Sequence, residues 1–257
     1  MNTEELIAYY NKFNEDKRLN TRHGQVEYRT CMHYIEEALK QFEKPRILDI
    51  GAGTGKYSIP LSMHYHVDAL ELVKHNLRVI EKNGPNVHTH LGNALDLKQF
   101  ENDSYEVILL FGPMYHLLTE EEKVQALKEA KRVLKPSGVL LINYFMNDYC
   151  VITHGFKEGK IEEAIKKGMV DNQFHITDWD NSLYSVVRLE DIDVLNQKVG
   201  LKRLKIITPD GPANYLRSTL NKMDDETFER FMEYHFIICE RSDMLGASAH
   251  ILDIVTK

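Results

Sequence analysis

The sequence predicts an open α/β fold: a parallel sheet of about seven strands with helices on both faces and a mostly helical cap. Three observations carry that expectation. From about residue 45, apolar runs of strand length alternate with stretches of helical periodicity. The first run, 46–50, ends in three glycines at alternating positions, Gly51, Gly53 and Gly55, and the second, 67–71, ends in Glu71. The fourth run, 105–111, is almost wholly apolar after Glu106, as suits a strand buried on both faces of a parallel sheet.

The elements follow in order. Leu6, Tyr9, Tyr10 and Phe13, then Tyr28, Met32, Ile35 and Leu39, have helical spacings. They precede the first strand, so they are expected to lie across the βαβ unit. Residues 57–64 read as a helix, with Pro60 near its first turns, where a missing N–H costs little. Residues 74–82 read as a helix stopped by Asn83-Gly84-Pro85, and 87–91 as strand three. Thr119, with Glu122 three residues on, forms a capping box before an apolar face of Val124, Leu127, Ala130, Val133 and Leu134. Lys135-Pro136-Ser137-Gly138 is expected to end that helix before a fifth strand at 139–144.

After Phe145 the alternation lapses. Residues 148–182 read as an insertion with a short helix at 161–167. A helix at 189–199 and a strand at 201–207 resume the pattern. Pro209-Asp210-Gly211-Pro212 is a turn, 224–239 an amphipathic helix, and 248–255 the final strand. The reading is one domain over 1–257, with a core at 43–147, 183–208 and 247–257 and a cap at 1–42, 148–182 and 209–246.

Composition narrows the function. Hydrophobic residues make up 43% of the chain, enough for a sizeable core, and the net charge of −7 comes with no basic block. That balance speaks against nucleic acid as a partner. Cys31, Cys150 and Cys239 lie far apart, which gives neither a zinc nor a disulfide framework. The polar, acidic start lacks a signal-peptide pattern, and no apolar run approaches the ~18 residues of a membrane span. A cytoplasmic protein with no membrane partner is expected. The oligomeric state is not legible.

A strand, a glycine turn, a helix and a second strand ending in a carboxylate form a nucleoside-binding unit. The glycines let the backbone approach the ligand, and Glu71 can accept bonds from ribose hydroxyls. The dinucleotide fingerprint would need a glycine where Lys56 stands. The spacing found instead, Asp49-Ile50-Gly51-Ala52-Gly53-Thr54-Gly55, resembles motif I of the class I S-adenosylmethionine (SAM) methyltransferases. Four further segments agree. Glu71 matches the acidic end of strand two. Leu91-Gly92-Asn93-Ala94-Leu95-Asp96 is similar to the segment bordering adenine, with Asn93 in place of the usual Asp. Leu110-Phe111-Gly112-Pro113-Met114-Tyr115-His116-Leu117 resembles the strand-four motif at the transfer site, and 132–140 the element before strand five. The ends, at 18–24 and 234–241, resemble a narrower bacterial subgroup of small-molecule type with the same strand-four motif.

The resemblance implies a Rossmann-like class I methyltransferase sheet, SAM as cofactor and S-adenosylhomocysteine as product. It implies a cofactor site of Asp49, Gly51, Ala52, Gly53, Thr54, Gly55, Glu71, Leu72, Asn93, Ala94, Leu95, Phe111 and Gly112. Arg22 could pair with the cofactor's carboxylate, and Tyr57, with Tyr9 and Tyr10, could pack near the sulfonium. His116 and Tyr115, just past strand four, are the candidate catalytic groups. His23, Tyr115, Tyr144, His235 and Glu240 are the candidate acceptor-binding residues. No metal is implied, because no H-x-x-x-H or H-E-x-x-H pattern occurs. The expected reaction is methyl transfer to N, O or S of a small-molecule acceptor. RNA or tRNA methylation, or SAM binding without catalysis, are the alternatives, with an NAD-dependent oxidoreductase third.

Overall fold

The computed structural model describes residues 6–8, 19–177 and 183–257. Tyr9, Tyr10 and Phe13 lie outside them. Seven strands form one sheet: β1 Arg46–Ile50, β2 His66–Glu71, β3 Val87–Leu91, β4 Tyr105–Leu110, β5 Leu134–Phe145, β6 Lys202–Ile207 and β7 His250–Thr256. Their order is β3-β2-β1-β4-β5-β7-β6. The first five pair in parallel, and β7 runs antiparallel between β5 and β6. This is the seven-stranded Rossmann-like sheet expected above, with β7 antiparallel where the sequence predicts an open parallel sheet.

The helices are α1 Arg22–Leu39, α2 Ser58–Leu61, α3 Lys74–Asn83, α4 Glu120–Val133, α5 Asn147–Cys150, α6 Ile161–Lys166, α7 Leu189–Val199, α8 Arg217–Leu220 and α9 Asp225–Ile238. Alternation along each strand sends side chains to two cores. Leu48, Ile108 and Leu140 pack with Leu127 and Ala130 of α4 and Ile192 of α7. Ile47, Val107 and Leu141 pack with Cys31, Ile35 and Leu39 of α1. A third cluster, Val26, Ala213, Leu220, Phe228 and Met232, lies within the cap. α1 therefore packs both against the sheet, through Cys31, Ile35 and Leu39, and against 213–232, through Val26.

Two boundaries differ from expectation. The helix read at 57–64 narrows to four residues, with Tyr57 as its N-cap and turns after Leu61. The α4 capping box forms as read, but α4 stops at Val133 and Leu134 already pairs with Tyr105. The register then jumps, and Val139 meets Val107, so the Lys135-Pro136-Ser137-Gly138 stretch is an irregularity inside β5 rather than a separate turn. Among the described residues, no helix is long and apolar enough to cross a membrane.

Candidate cofactor and acceptor site

A cleft opens over the carboxyl ends of β1, β2 and β4, where open α/β sheets hold ligands. It encloses about 1110 Å³ including its open mouth. Its floor is the glycine turn. Gly51, Gly53 and Gly55 all take positive φ, at 77°, 56° and 87°. The Gly51 and Ala52 N–H groups donate to the Leu70 carbonyl at 2.8 and 3.1 Å, tying the turn to β2. A Cβ on Gly51 would stand 2.7 Å from Pro113 Cδ, so the loops after β1 and β4 touch across the site. A Cβ on Gly53 would meet nothing within 4 Å. Gly53 thus leaves room for a ligand to lie against bare backbone.

Glu71 is nearly buried and held at several points. Its Oε2 accepts the Gly53 N–H at 2.9 Å, and its Oε1 accepts the Val73 N–H at 2.8 Å and Asn76 Nδ2 at 3.3 Å. Burial raises its pKa, and the backbone bonds pull the other way. Asp49 is fully enclosed: burial pushes its carboxyl up to about 7, against a 2.6 Å bond from the Ser58 hydroxyl. Asn93 lines the cleft, but its side-chain oxygen already accepts the Leu95 N–H at 3.0 Å. One lone pair remains there for a ligand amino group.

Tyr57, Phe111 and Tyr115 give the cleft aromatic walls, with the Tyr57 and Phe111 rings edge to face at 5.1 Å. His116 lies at the far end. Its Nδ1 donates to the Leu183 carbonyl at 2.7 Å, which leaves Nε2 as the unprotonated nitrogen. Burial brings its pKa down to about 4, so it is neutral at physiological pH. The strap 183–187 crosses this end: the Ser185 N–H donates to the Tyr115 carbonyl, and buried Lys123 bonds both the Leu117 carbonyl and Ser185 Oγ.

Asp49, Gly51, Ala52, Gly53, Thr54, Tyr57, Glu71, Leu72, Asn93, Ala94, Phe111, Gly112, Tyr115 and His116 all border the cleft. Gly55 sits behind them, against Ile59 and Ile80.

Six of the proposed residues lie elsewhere. Arg22 pairs with Asp225 at 2.8 Å and covers the Phe228 ring, so its charge is turned toward α9 and away from the cleft. His23 bonds Thr21 and Asn221 within the cap. Tyr144 is fully buried in the α4-side core. His235 is enclosed beside Gly211, and burial lowers its pKa to about 4. Glu240 accepts from Tyr34 and Lys205 on the outer side of α1. Leu95 packs against the core, donates its N–H to Asn93 Oδ1 and accepts from Gln125 Nε2.

The sequence reading missed Glu27, Asn76, Pro113 and Asn143, which also line the cleft. Asn143 was legible in principle, being a polar residue inside an apolar strand. Glu27, at 4% exposure on α1, carried no local signal.

The comparisons with known proteins address this geometry. A family model described as a methyltransferase domain matches residues 47–138, the segment from the glycine turn to the start of β5. Residues 47–138 thus match a methyltransferase domain, and the sheet shares the fold of solved SAM-dependent methyltransferases. An uncharacterized methyltransferase of Schizosaccharomyces pombe is 34% identical over 120 residues, 46% of this chain and 46% of that protein. The Mus musculus protein named probable tRNA methyltransferase 9B is 29% identical over 140 residues, 50% of this chain and 30% of its own length. The matches thus span half or less of the curated relatives. A solved structure from Thermotoga maritima, described as a SAM-dependent methyltransferase and possible histamine N-methyltransferase, superposes with a TM-score of 0.57. It covers 97% of each chain at 18% identity, a likeness of fold.

SAM is the cofactor that this likeness implies, and the residues present fit it. The positive-φ glycines and the open face of Gly53 admit it, and Glu71 stands at the end of β2 for the ribose.

Proposed function

We propose that this protein transfers a methyl group from SAM to a nucleophilic N, O or S atom of a small-molecule acceptor by in-line displacement. One observation carries the reading. The cleft that holds the glycine turn and Glu71 also holds Tyr115 and His116, and Tyr115 is bonded through its carbonyl to the 183–187 strap. A single continuous cleft thus offers room for cofactor and acceptor in this reading.

When bound, SAM supplies a methyl group on a positively charged sulfur. The chain has three tasks. Glu71 and the glycine turn fix the nucleoside, and Tyr57 and Phe111 wall the path toward the acceptor. The strap braces the loop that carries Tyr115 through the Ser185 N–H and Lys123. Holding two reactants in line contributes on the order of 7–11 kcal/mol in the best-oriented models, so strong acid–base machinery is not required. His116 Nε2, unprotonated at neutral pH, can orient an acceptor N–H or O–H, and its depressed basicity makes it a weak proton acceptor. The acceptor is a small molecule in this reading, because the chain carries a net charge of −7 and no basic block.

RNA methylation is the second reading, favoured by the name of the mouse relative. Following S-adenosylhomocysteine release over a panel of amines, thiols, phenols, carboxylates and RNA separates the two. Turnover with a low-molecular-weight compound is expected. Methyl incorporation into RNA alone would overturn the proposal.

A further inference from the structure

The far end of the cleft has a chemical bias of its own. Asn143, on β5, lines the cleft at 2% exposure, and its side-chain oxygen has no hydrogen-bond partner among the described residues. An orphaned buried amide oxygen costs free energy unless a donor meets it. Glu27, on α1, lines the same cleft, and its carboxylate lies 3.8 Å from His250 Nδ1.

His250 is held in turn by Asp210, which is fully buried. Asp210 Oδ2 accepts His250 Nδ1 at 2.8 Å and Asn214 Nδ2 at 2.6 Å, while Oδ1 accepts the His250 N–H at 3.1 Å and the Ser248 hydroxyl. Aromatic rings surround this corner. Phe145 stacks on His250 with centroids 5.3 Å apart, Tyr115 lies 6.2 Å from His250, and Tyr184 lies 6.4 Å from Tyr115.

Sheet order assigns this corner to the acceptor. The nucleoside contacts sit on β1 and β2. Asn143 sits on β5, two strands from β1, and is paired with Leu252 of β7. The corner presents an amide oxygen, a carboxylate and aromatic faces, which together suit an N–H donor carrying positive charge.

We propose that the acceptor is an amine, bound as its ammonium form by the Asn143 side-chain oxygen and the Glu27 carboxylate, with Asp210 and His250 as positioning residues behind Glu27. Glu27 takes up one ammonium proton, and the freed lone pair forms the N–C bond as the S–C bond of the methyl donor breaks and S-adenosylhomocysteine leaves. This inference rests on the methyl-transfer reading and names its substrate class. Glu27, Asp210 and His250 could also surround a metal ion, since their ligand atoms lie within 4.8 Å of one another. Asp210 speaks against it: its four bonds use the directions a metal would need, and ligation would break the pairing that holds His250.

The test is calorimetric titration of the full chain, saturated with S-adenosylhomocysteine, with three ligands of one shape: 2-phenylethylamine, 2-phenylethanol and 3-phenylpropanoate. Glu27→Gln and Asn143→Leu are examined beside the wild type, and SAM affinity is measured separately for each. The amine is expected to bind at least about tenfold more tightly than the alcohol or the acid. Glu27→Gln should remove most of that preference while leaving SAM affinity within about twofold. Asn143→Leu should act the same way, and Glu27→Gln carries the test if the leucine variant does not fold.

No amine preference in the wild type overturns the proposal, as does an equal loss of SAM and amine affinity in Glu27→Gln. Amine binding that disappears with EDTA and returns with Mn²⁺ or Zn²⁺ overturns it in favour of a metal site. Failure of the wild type to bind SAM would instead remove the methyl-transfer reading itself.

Discussion

The Gly53 N–H points at Glu71 Oε2 across 2.9 Å, so the turn after β1 and the carboxylate ending β2 are bonded before any ligand arrives. The same carboxylate caps the chain at Val73. A preorganised turn of this kind spares the ordering cost on binding. Glu71→Ala should therefore act twice. SAM affinity should fall about tenfold to a hundredfold, as for loss of a charge-assisted hydrogen bond, and Tm should drop because two backbone N–H groups lose their acceptor. Titration calorimetry and a melt on the same preparation check both. Unchanged SAM affinity would mean that Glu71 serves the turn alone.

Gly51 and Gly53 separate stability from binding. Gly51→Ala drives a Cβ to 2.7 Å from Pro113 Cδ at φ 77°, so both packing and backbone resist it. A stability loss of about 2–4 kcal/mol is expected from the clash and the left-handed strain together. Gly53→Ala has open space, and its φ of 56° costs only about 1 kcal/mol. Its methyl group points where the cofactor must come, so it should fold nearly normally and bind SAM weakly. Chemical denaturation beside SAM titration gives the two patterns, and a reversed pattern would contradict the geometry.

His235 gives a pH signature. Burial lowers its folded pKa to about 4, below the ordinary 6.5. The unfolded chain therefore takes up the proton first as pH falls. The neutral ring's contribution is fully present above about pH 6.5 and is lost progressively down to about pH 4, at most about 3 kcal/mol. His235→Gln cannot lose it. The stability gap between wild type and variant should therefore narrow as pH falls through this window. Asp49 has the opposite sign: its pKa, raised to about 7, makes the fold less stable as pH rises through that value, so the comparison must be made variant by variant.

Lys123 is buried with its amino group on the Leu117 carbonyl and Ser185 Oγ, and burial brings its pKa down to about 8. It ties the loop after β4 to the 183–187 strap. Lys123→Met keeps the bulk and removes both bonds. Faster amide exchange in 183–187 and a raised acceptor KM are expected, with SAM affinity within about twofold of wild type. Unaltered exchange in the strap would show that other contacts hold it.

What the sequence disclosed was local. The glycine turn, Glu71 and the capping box at Thr119 are set by neighbours a few residues away, and each stands where its spacing put it. The acceptor corner was misread for a reason of parity. Tyr144 was chosen from β5, but Asn143 is the residue on the cleft side, and a shift of one position in a strand exchanges the two faces. Arg22 and Glu240 were misplaced because their partners, Asp225 and Lys205, lie far along the chain. Charge type alone does not say which distant residue a side chain will meet. Glu27 needed the packing of α1 on the sheet, which no periodicity encodes.

The position of β7 bears on how the molecule comes into being. It is the latest strand in chain order, yet it lies between β5 and β6 and supplies His250 to the acceptor corner. During synthesis at about 5–20 residues per second, the glycine turn and its parallel neighbours leave the ribosome well before residue 250. Through that interval β5 shows an unpaired edge and β6 has no partner strand. A nascent chain can therefore assemble the nucleoside half early, but not the half that selects what is methylated.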